Sequence, residues 1–355
     1  MLAVLLLIDL FYPKYGFMLL GAIVVISLIG TFMMVVPYLA LGSSGSISSI
    51  NSFLASYNSS YYSIASQYHG PIVSWPAVLL LLPYTAYALP WINNAADFSG
   101  ELKNIKRAAW TGTFLAAAFS GIFLALFQQI YYNTVGFSFA TQAMMSWPSS
   151  LSSMGVVPNM LTIATILFRN NPAYIWIMNI FFSFWYLAAV QQTILSISRY
   201  VFGMSFDRLL PSWFAAVSER FHSPVNSLAL TGIIGAVMII IVSFTNWLYL
   251  YSTTALGMVF FMFVGITAIV HAIKRKEEAG SYAVPLIISG IVVAIGFGYL
   301  SYQFLFLPYY GINALSWGLM IFFWAVGALL YPIAKWYYSK RQLDISLIFK
   351  ELPPE

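Results

Sequence analysis

The chain has 355 residues, 61% of them hydrophobic and only 7% charged. A soluble domain carries about a quarter charged residues, so this composition, with a mean hydropathy of +0.84, excludes a soluble globule. The net charge of +5 does not imply nucleic acid, because the basic residues lie in short stretches between apolar runs, where they set membrane orientation.

Cysteine is absent, which excludes disulfides, thiolate metal sites and cysteine catalysis. The three histidines, His69, His222 and His271, are too scattered for metal-ligand spacing. No metal and no cofactor is expected.

A membrane helix needs about 20 mostly apolar residues. The first apolar run, Leu2–Leu10, is too short to span. It lacks the basic leader and small-residue cleavage site of a signal peptide, and reads as the tail of a longer helix. Eight spans follow: Phe17–Leu41, Ile72–Phe98, Ala108–Ile130, Ala173–Val201, Leu228–Phe244, Leu248–Ala272, Ala283–Leu307 and Ile312–Tyr337. The fold class is therefore an all-α membrane protein.

The second span is the most informative. Pro90 interrupts it, and Tyr84, Thr85, Tyr87, Trp91, Asn93 and Asn94 crowd the break. A proline deep in a helix removes one backbone hydrogen bond and clashes with the carbonyl one turn back. In hydrocarbon the freed groups need partners in protein or a water-lined cavity, and secondary transporters use such broken helices as binding sites near the midplane. A plain kink and a binding site are both compatible with the proline itself.

Two stretches outside the spans have their own character. Gly42–Gly70, rich in Ser, Tyr and Asn and free of charge, reads as a loop with tyrosines near the headgroups. Met154–Phe168, with Pro158 and Asn159, reads as an extracellular helix over the mouth of the protein, either a lid or an inert interfacial helix.

Positive charges orient the chain. Lys14 precedes the first span; Lys103, Lys106 and Arg107 follow the second; Arg199, Arg208 and Arg220 follow or end the fourth; Lys274, Arg275 and Lys276 follow the sixth; Lys335, Lys340, Arg341 and Lys350 close the chain. With eight crossings all of these fall on one side, and only Arg169 on the other. The basic side is cytoplasmic by the positive-inside rule, so the C-terminus is expected inside a multi-pass cell-membrane protein.

Two cytoplasmic stretches carry a recognisable pattern: Gly100-Glu101-Leu102-Lys103-Asn104-Ile105-Lys106-Arg107-Ala108, and Ser198-Arg199-Tyr200 through Asp207-Arg208-Leu209-Leu210-Pro211, followed by Phe221-His222-Ser223-Pro224. Together they resemble the amino acid–polyamine–organocation (APC) superfamily of permeases, which carries an acidic-Lys-Asn loop after helix six and an S-R…D-R-x-x-P loop after helix eight. The resemblance implies helices 5–12 of the LeuT-like inverted-repeat (5+5+2) transporter fold. It divides the chain into residues 1–12, the remnant of a truncated helix; 13–338, the permease membrane domain; and 339–355, a cytoplasmic tail. The family's helices one to three and most of helix four would then be missing. Helix one supplies half of the substrate site in this family, so the chain is not expected to transport alone.

The resemblance also implies where the site lies. It places an unwound segment at about Ala88–Ile92, with Tyr87, Ala88, Leu89, Pro90, Trp91, Asn93 and Asn94 as substrate-binding residues. Freed carbonyls at the end of the first half-helix favour a cation, and free amides near Asn93 favour an anion, which suits an α-amino acid zwitterion. Tyr87 and Trp91 could wall the pocket, with packing as the alternative. Gln191, Gln192 and Thr193 lie in mid-span on family helix eight, as an ion or pocket site or as helix–helix hydrogen bonds. Glu101, Lys103, Arg199 and Asp207 form a candidate inner gate or are solvated loop charges; Asp97 sits near them, at the inner end of its span.

The expected function is secondary-active transport of an amino acid or related amine by alternating access, in contact with membrane lipid and coupled to a proton or sodium ion, or to neither in an exchanger or uniporter. The alternatives are the structural half of a split permease and a membrane-embedded enzyme. An enzyme would need clustered His, Asp or Glu within the spans, and no such cluster occurs in the sequence.

Overall fold

A computed structural model describes residues 2–11, 13–88, 97, 104, 107, 110–245, 253–310 and 312–345. Among them there is no strand. The α-helices, in chain order, are α1 (Leu2–Phe11), α2 (Pro13–Ala55), α3 (Tyr61–Ala65), α4 (Trp75–Ala88), α5 (Ala116–Val135), α6 (Phe137–Ser146), α7 (Ser149–Ser153), α8 (Met160–Leu167), α9 (Pro172–Phe206), α10 (Val225–Phe244), α11 (Thr253–Lys274), α12 (Lys276–Ala279), α13 (Ala283–Phe306) and α14 (Ala314–Ser339). A π-helical stretch, Trp110–Leu115, leads into α5.

Seven segments are long and apolar enough to cross a bilayer. They coincide with seven of the eight predicted spans. The remaining one, Ile72–Phe98, is described continuously as far as Ala88, the end of α4. Leu2–Leu10 is helical, as its apolar run suggests.

The expected loop at Gly42–Gly70 is overturned over Gly42–Ala55 and Tyr61–Ala65, which are helical. Helix α2 continues to Ala55, with one break at Gly42, whose backbone adopts φ 59° and ψ −167°. That conformation is open to glycine and strained for residues with a Cβ. Straight, 43 residues of helix would reach about 65 Å, twice the hydrocarbon thickness, and the bend at Gly42 ends the straight run. The serines misled the reading, because Ile47, Ile50 and Leu54 keep helical spacing beneath them. Ile50 and Leu54 are completely buried.

The chain forms two compact units. The first takes in Met1–Val73, Lys103–Ser196 and Glu219–Ser223. Its core joins α2, α5, α6 and α8 through Tyr38, Leu54, Tyr131, Phe139 and Ile163. Helices α2 and α9 meet backbone to backbone at Gly30: a Cβ there would fall 2.4 Å from the Phe182 nitrogen. Small residues at helix crossings allow this approach in membranes. Nearby, Trp185 Nε1 donates to Thr31 Oγ1 at 2.8 Å, and the Tyr174 hydroxyl donates to the Met33 carbonyl at 2.7 Å.

The stretch Met154–Phe168 belongs to this core. Asn159 caps α8 by accepting from the Thr162 amide at 2.8 Å. Ile163, Ala164, Ile166 and Leu167 are buried, and the Tyr38 hydroxyl donates to the Met160 carbonyl. Arg169, just beyond, donates to the Ser49 carbonyl at 2.9 Å and to Ser52 Oγ. The helix is packed through half its residues and is no detached flap.

The second unit takes in Ser74–Leu102, Ile197–Ser218 and Pro224–Glu355. Its firmest crossing is α11 on α13, at Gly265 and Gly290. A Cβ on Gly265 would lie 2.7 Å from the Gly290 carbonyl oxygen, and one on Gly290 would lie 2.8 Å from that of Gly265. Ala255, Met258, Leu300, Phe304 and Met320 form the core joining α11, α13 and α14, with Ala86 of α4 packed on it.

Candidate functional site

Helix α4 opens the span that carries Pro90. Pro83 lies inside it and is buried. Two groups from the end of α13 and the turn after it meet α4. Gln303 Nε2 donates to the Leu79 carbonyl at 3.1 Å, and the Tyr310 hydroxyl donates to the Leu80 carbonyl. Tyr84 packs edge-on against Phe304, with ring centroids 5.5 Å apart, and lies 5.6 Å from Tyr310. Thr85 turns its hydroxyl back on its own helix, donating to the Leu82 carbonyl at 2.9 Å.

Of the expected substrate residues, Tyr87 and Ala88 close α4. Leu89, Pro90, Trp91, Asn93 and Asn94 lie outside the described residues, as do Glu101 and Lys103 of the expected gate. Asp97 is described: its Oδ1 accepts from the Tyr200 hydroxyl at 2.7 Å. Asp97, late in the span that carries Pro90, thus meets the helix that carries Arg199. Arg199 Nη1 donates to Ser198 Oγ at 3.1 Å. Asp207 follows the end of α9, its amide bonded to the Gly203 carbonyl at 2.9 Å. About two helical turns, ~12 Å, separate Arg199 from Asp207 along the helix axis.

The three polar residues of mid-α9 separate into distinct environments. Thr193 is exposed and donates to its own helix at Ala189, at 2.7 Å, as hydroxyls in apolar helices do. Gln192 is half-buried. Gln191 is completely buried, donating to Asp9 Oδ1 at 2.7 Å and, more weakly, to the Gly16 carbonyl at 3.4 Å. Its own Oε1 is buried with no hydrogen-bond donor among the described residues.

Asp9 escaped the sequence reading because α1 is too short to count as a span. The available signal was a lone carboxylate in an otherwise apolar run. It is 2% exposed, and an ionisable group in such a setting marks a functional position by default.

An open groove of about 780 Å³ lies within the second unit, lined by Met262, Phe263, Tyr302, Phe306, Phe323 and Trp324 among others. Its walls are almost wholly apolar. The Ser301 hydroxyl that reaches it is already bonded to the Phe297 carbonyl at 2.7 Å. A zwitterion would lose hydration there without compensation, so this groove is not a seat for one.

The chain matches the amino acid permease family over residues 2–330. No curated protein and no solved structure matches it significantly. The family match spans all seven long apolar helices except the end of α14, and takes in α4, the Asp97–Tyr200 contact and the Asp9–Gln191 pair. A family of carriers rather than enzymes agrees with the membrane helices. The chain belongs to the amino acid permease family of the APC superfamily.

Proposed function

We propose that the protein moves an amino acid or related amine across the cell membrane by secondary-active, alternating-access transport, with the substrate held at the interrupted span Ile72–Phe98. One observation carries the reading: membership of a permease family, in a chain whose second span holds Pro83 and Pro90 and turns polar at Trp91-Ile92-Asn93-Asn94. Carbonyls released near Ala88–Pro90 meet the substrate ammonium, and amides near Asn93 meet its carboxylate. Tyr87 and Trp91 wall the pocket. Asp97, Arg199, Glu101, Lys103 and Asp207 form the inner gate, and the coupling ion is a proton or sodium. The C-terminus lies in the cytoplasm.

Uptake of a panel of radiolabelled amino acids and amines into proteoliposomes tests this, with the family's first four helices supplied ahead of the chain and with proton and sodium gradients imposed separately. Saturable uptake of at least one member, weakened by Trp91→Ala and Asn93→Ala while membrane insertion persists, is the expected result. Unchanged kinetics in both variants removes them from the site. Absence of uptake for every compound removes the transport reading.

A further inference from the structure

Pro83 lies inside α4, seven positions before Pro90 in the sequence. Proline has no amide hydrogen, so the carbonyl four residues back, Leu79, loses its helical donor; the ring also crowds the same turn. In a membrane such a carbonyl must find another partner. It finds one in Gln303 Nε2, at 3.1 Å. The next carbonyl, Leu80, is taken by the Tyr310 hydroxyl. Both donors come from one short segment, the last turn of α13 and the 3-10 turn Pro308–Tyr310.

The orientation of the Gln303 amide is fixed by this contact. Its Nε2 also donates to the Tyr299 hydroxyl, at 3.3 Å. Its Oε1 is buried without a donor among the described residues, and the residue is 2% exposed. Rotating the amide by half a turn would set Oε1 against the Leu79 oxygen and leave two acceptors facing each other. The aromatic cluster of Tyr84, Phe304 and Tyr310 closes around the pair, with Phe304 and Tyr310 4.6 Å apart.

We infer that Gln303 and Tyr310 form a clasp at the turn that Pro83 crowds, Gln303 replacing the hydrogen bond that the proline removes and Tyr310 holding the next carbonyl, and that they are positioning residues: they pin the first half of the interrupted span to α13 and so set the angle at which that half-helix presents its end to the substrate. The inference about transport rests on the reading above; the clasp itself does not.

The experiment is a double-mutant cycle between positions 83 and 303 in the full chain, read by hydrogen exchange of the α4 peptide and by uptake kinetics. Gln303→Met keeps the side-chain length and removes the donor. It should speed exchange across α4 by about tenfold, the scale of one hydrogen bond to a buried carbonyl, and should raise KM for uptake more than it lowers the maximal rate. Pro83→Ala returns an amide to Leu79, so Gln303→Met on that background should leave α4 exchange unchanged. Tyr310→Phe gives a second cycle should Pro83→Ala fail to fold: the Tyr310→Phe and Gln303→Met effects should fall short of additivity, since either opening frees the same turn. Equal acceleration by Gln303→Met with and without Pro83, or none in either, overturns the clasp; so does additivity in the second cycle. Loss of all uptake in the unaltered protein, with the exchange coupling intact, overturns the transport reading and leaves the clasp standing.

Discussion

Gln191 reaches Asp9 across 2.7 Å, though the two residues stand 182 positions apart in the chain, and both side chains are sealed from solvent. Gly16 makes the contact possible. A Cβ at position 16 would fall 2.0 Å from Asp9 Oδ1 and 3.4 Å from Gln191 Nε2, so only a bare backbone leaves room for the carboxylate. Three helices, α1, α2 and α9, are joined through this polar contact.

That arrangement makes Gly16→Ala destabilising, because no rotamer of the new methyl relieves the overlap and Asp9 must move. The expected cost is about 1–3 kcal/mol, the range for overpacking. Gln191→Leu removes the donor and costs about 1–3 kcal/mol, as when one member of a buried polar pair is deleted. Thermal unfolding in detergent, followed by tryptophan fluorescence, reads both. Gly21→Ala, on the same helix with open space around it, should leave the transition in place. A Gly16→Ala protein as stable as the Gly21→Ala one would sink the packing argument.

The α11–α13 crossing gives a second paired test. At Gly290 a methyl would meet the Gly265 carbonyl at 2.8 Å, whereas Gly296 on the same helix has nothing within 4 Å. Gly290→Ala should lower stability by about 1–3 kcal/mol. Gly296→Ala should be neutral or stabilising by up to about 1 kcal/mol, since alanine is the better helix former. Equal effects at the two positions would mean that the helices do not touch where the glycines place them.

Tyr310 adds a dependence on pH. Its hydroxyl is pushed above the ordinary 10.0, first by burial and then by the phenols of Tyr84 and Tyr299. A raised value means that the folded protein holds this proton more tightly than the unfolded chain does. Its contribution is therefore complete below pH 10 and is lost as pH rises past the folded value. After correction for intrinsic exchange rates, protection of α4 should be flat from neutrality to about pH 10 and fall above it. Tyr310→Phe should show lower protection throughout and a smaller alkaline fall.

How much of this could be read from residues alone follows from what each feature depends on. The long helices were legible because each needs only a run of apolar residues of bilayer length, which is a local property. The Ser-rich Gly42–Gly70 stretch was misread because its helix is decided by Ile50 and Leu54 packing against distant partners, while the serines above them carry loop composition. The proline at 90 was visible, yet the partners that α4 needs at Pro83 were not: Gln303 and Tyr310 lie more than 220 residues away. Asp9 and Gln191 were each visible as polar residues in apolar surroundings. Their pairing was not, because no local pattern links α1 to α9. Arg199 and Asp207 of the expected gate were legible as charges alone, whereas the contact between Asp97 and the Tyr200 hydroxyl was not, because no local pattern links the two segments.

The orientation of the chain rests on its basic residues, and the lack of any native cysteine makes it directly testable. A single cysteine at Asn171 lies in the short segment between α8 and α9, on the side opposite to the Lys-Arg clusters. Single cysteines at Lys340 and at Lys106 lie on the clustered side. In intact cells a membrane-impermeant maleimide should label Asn171→Cys and spare the other two; after permeabilisation it should label all three. The physical basis is that lysine and arginine near span ends resist translocation, so loops rich in them stay in the cytoplasm. Arg169 is the lone exception to the pattern, and its guanidinium is held by the Ser49 carbonyl and the Ser52 hydroxyl. With the basic clusters in the cytoplasm, as proposed, that tie accounts for the one cation on the opposite side. Labelling of Lys340→Cys in intact cells would invert the whole topology and move the inner gate to the opposite face.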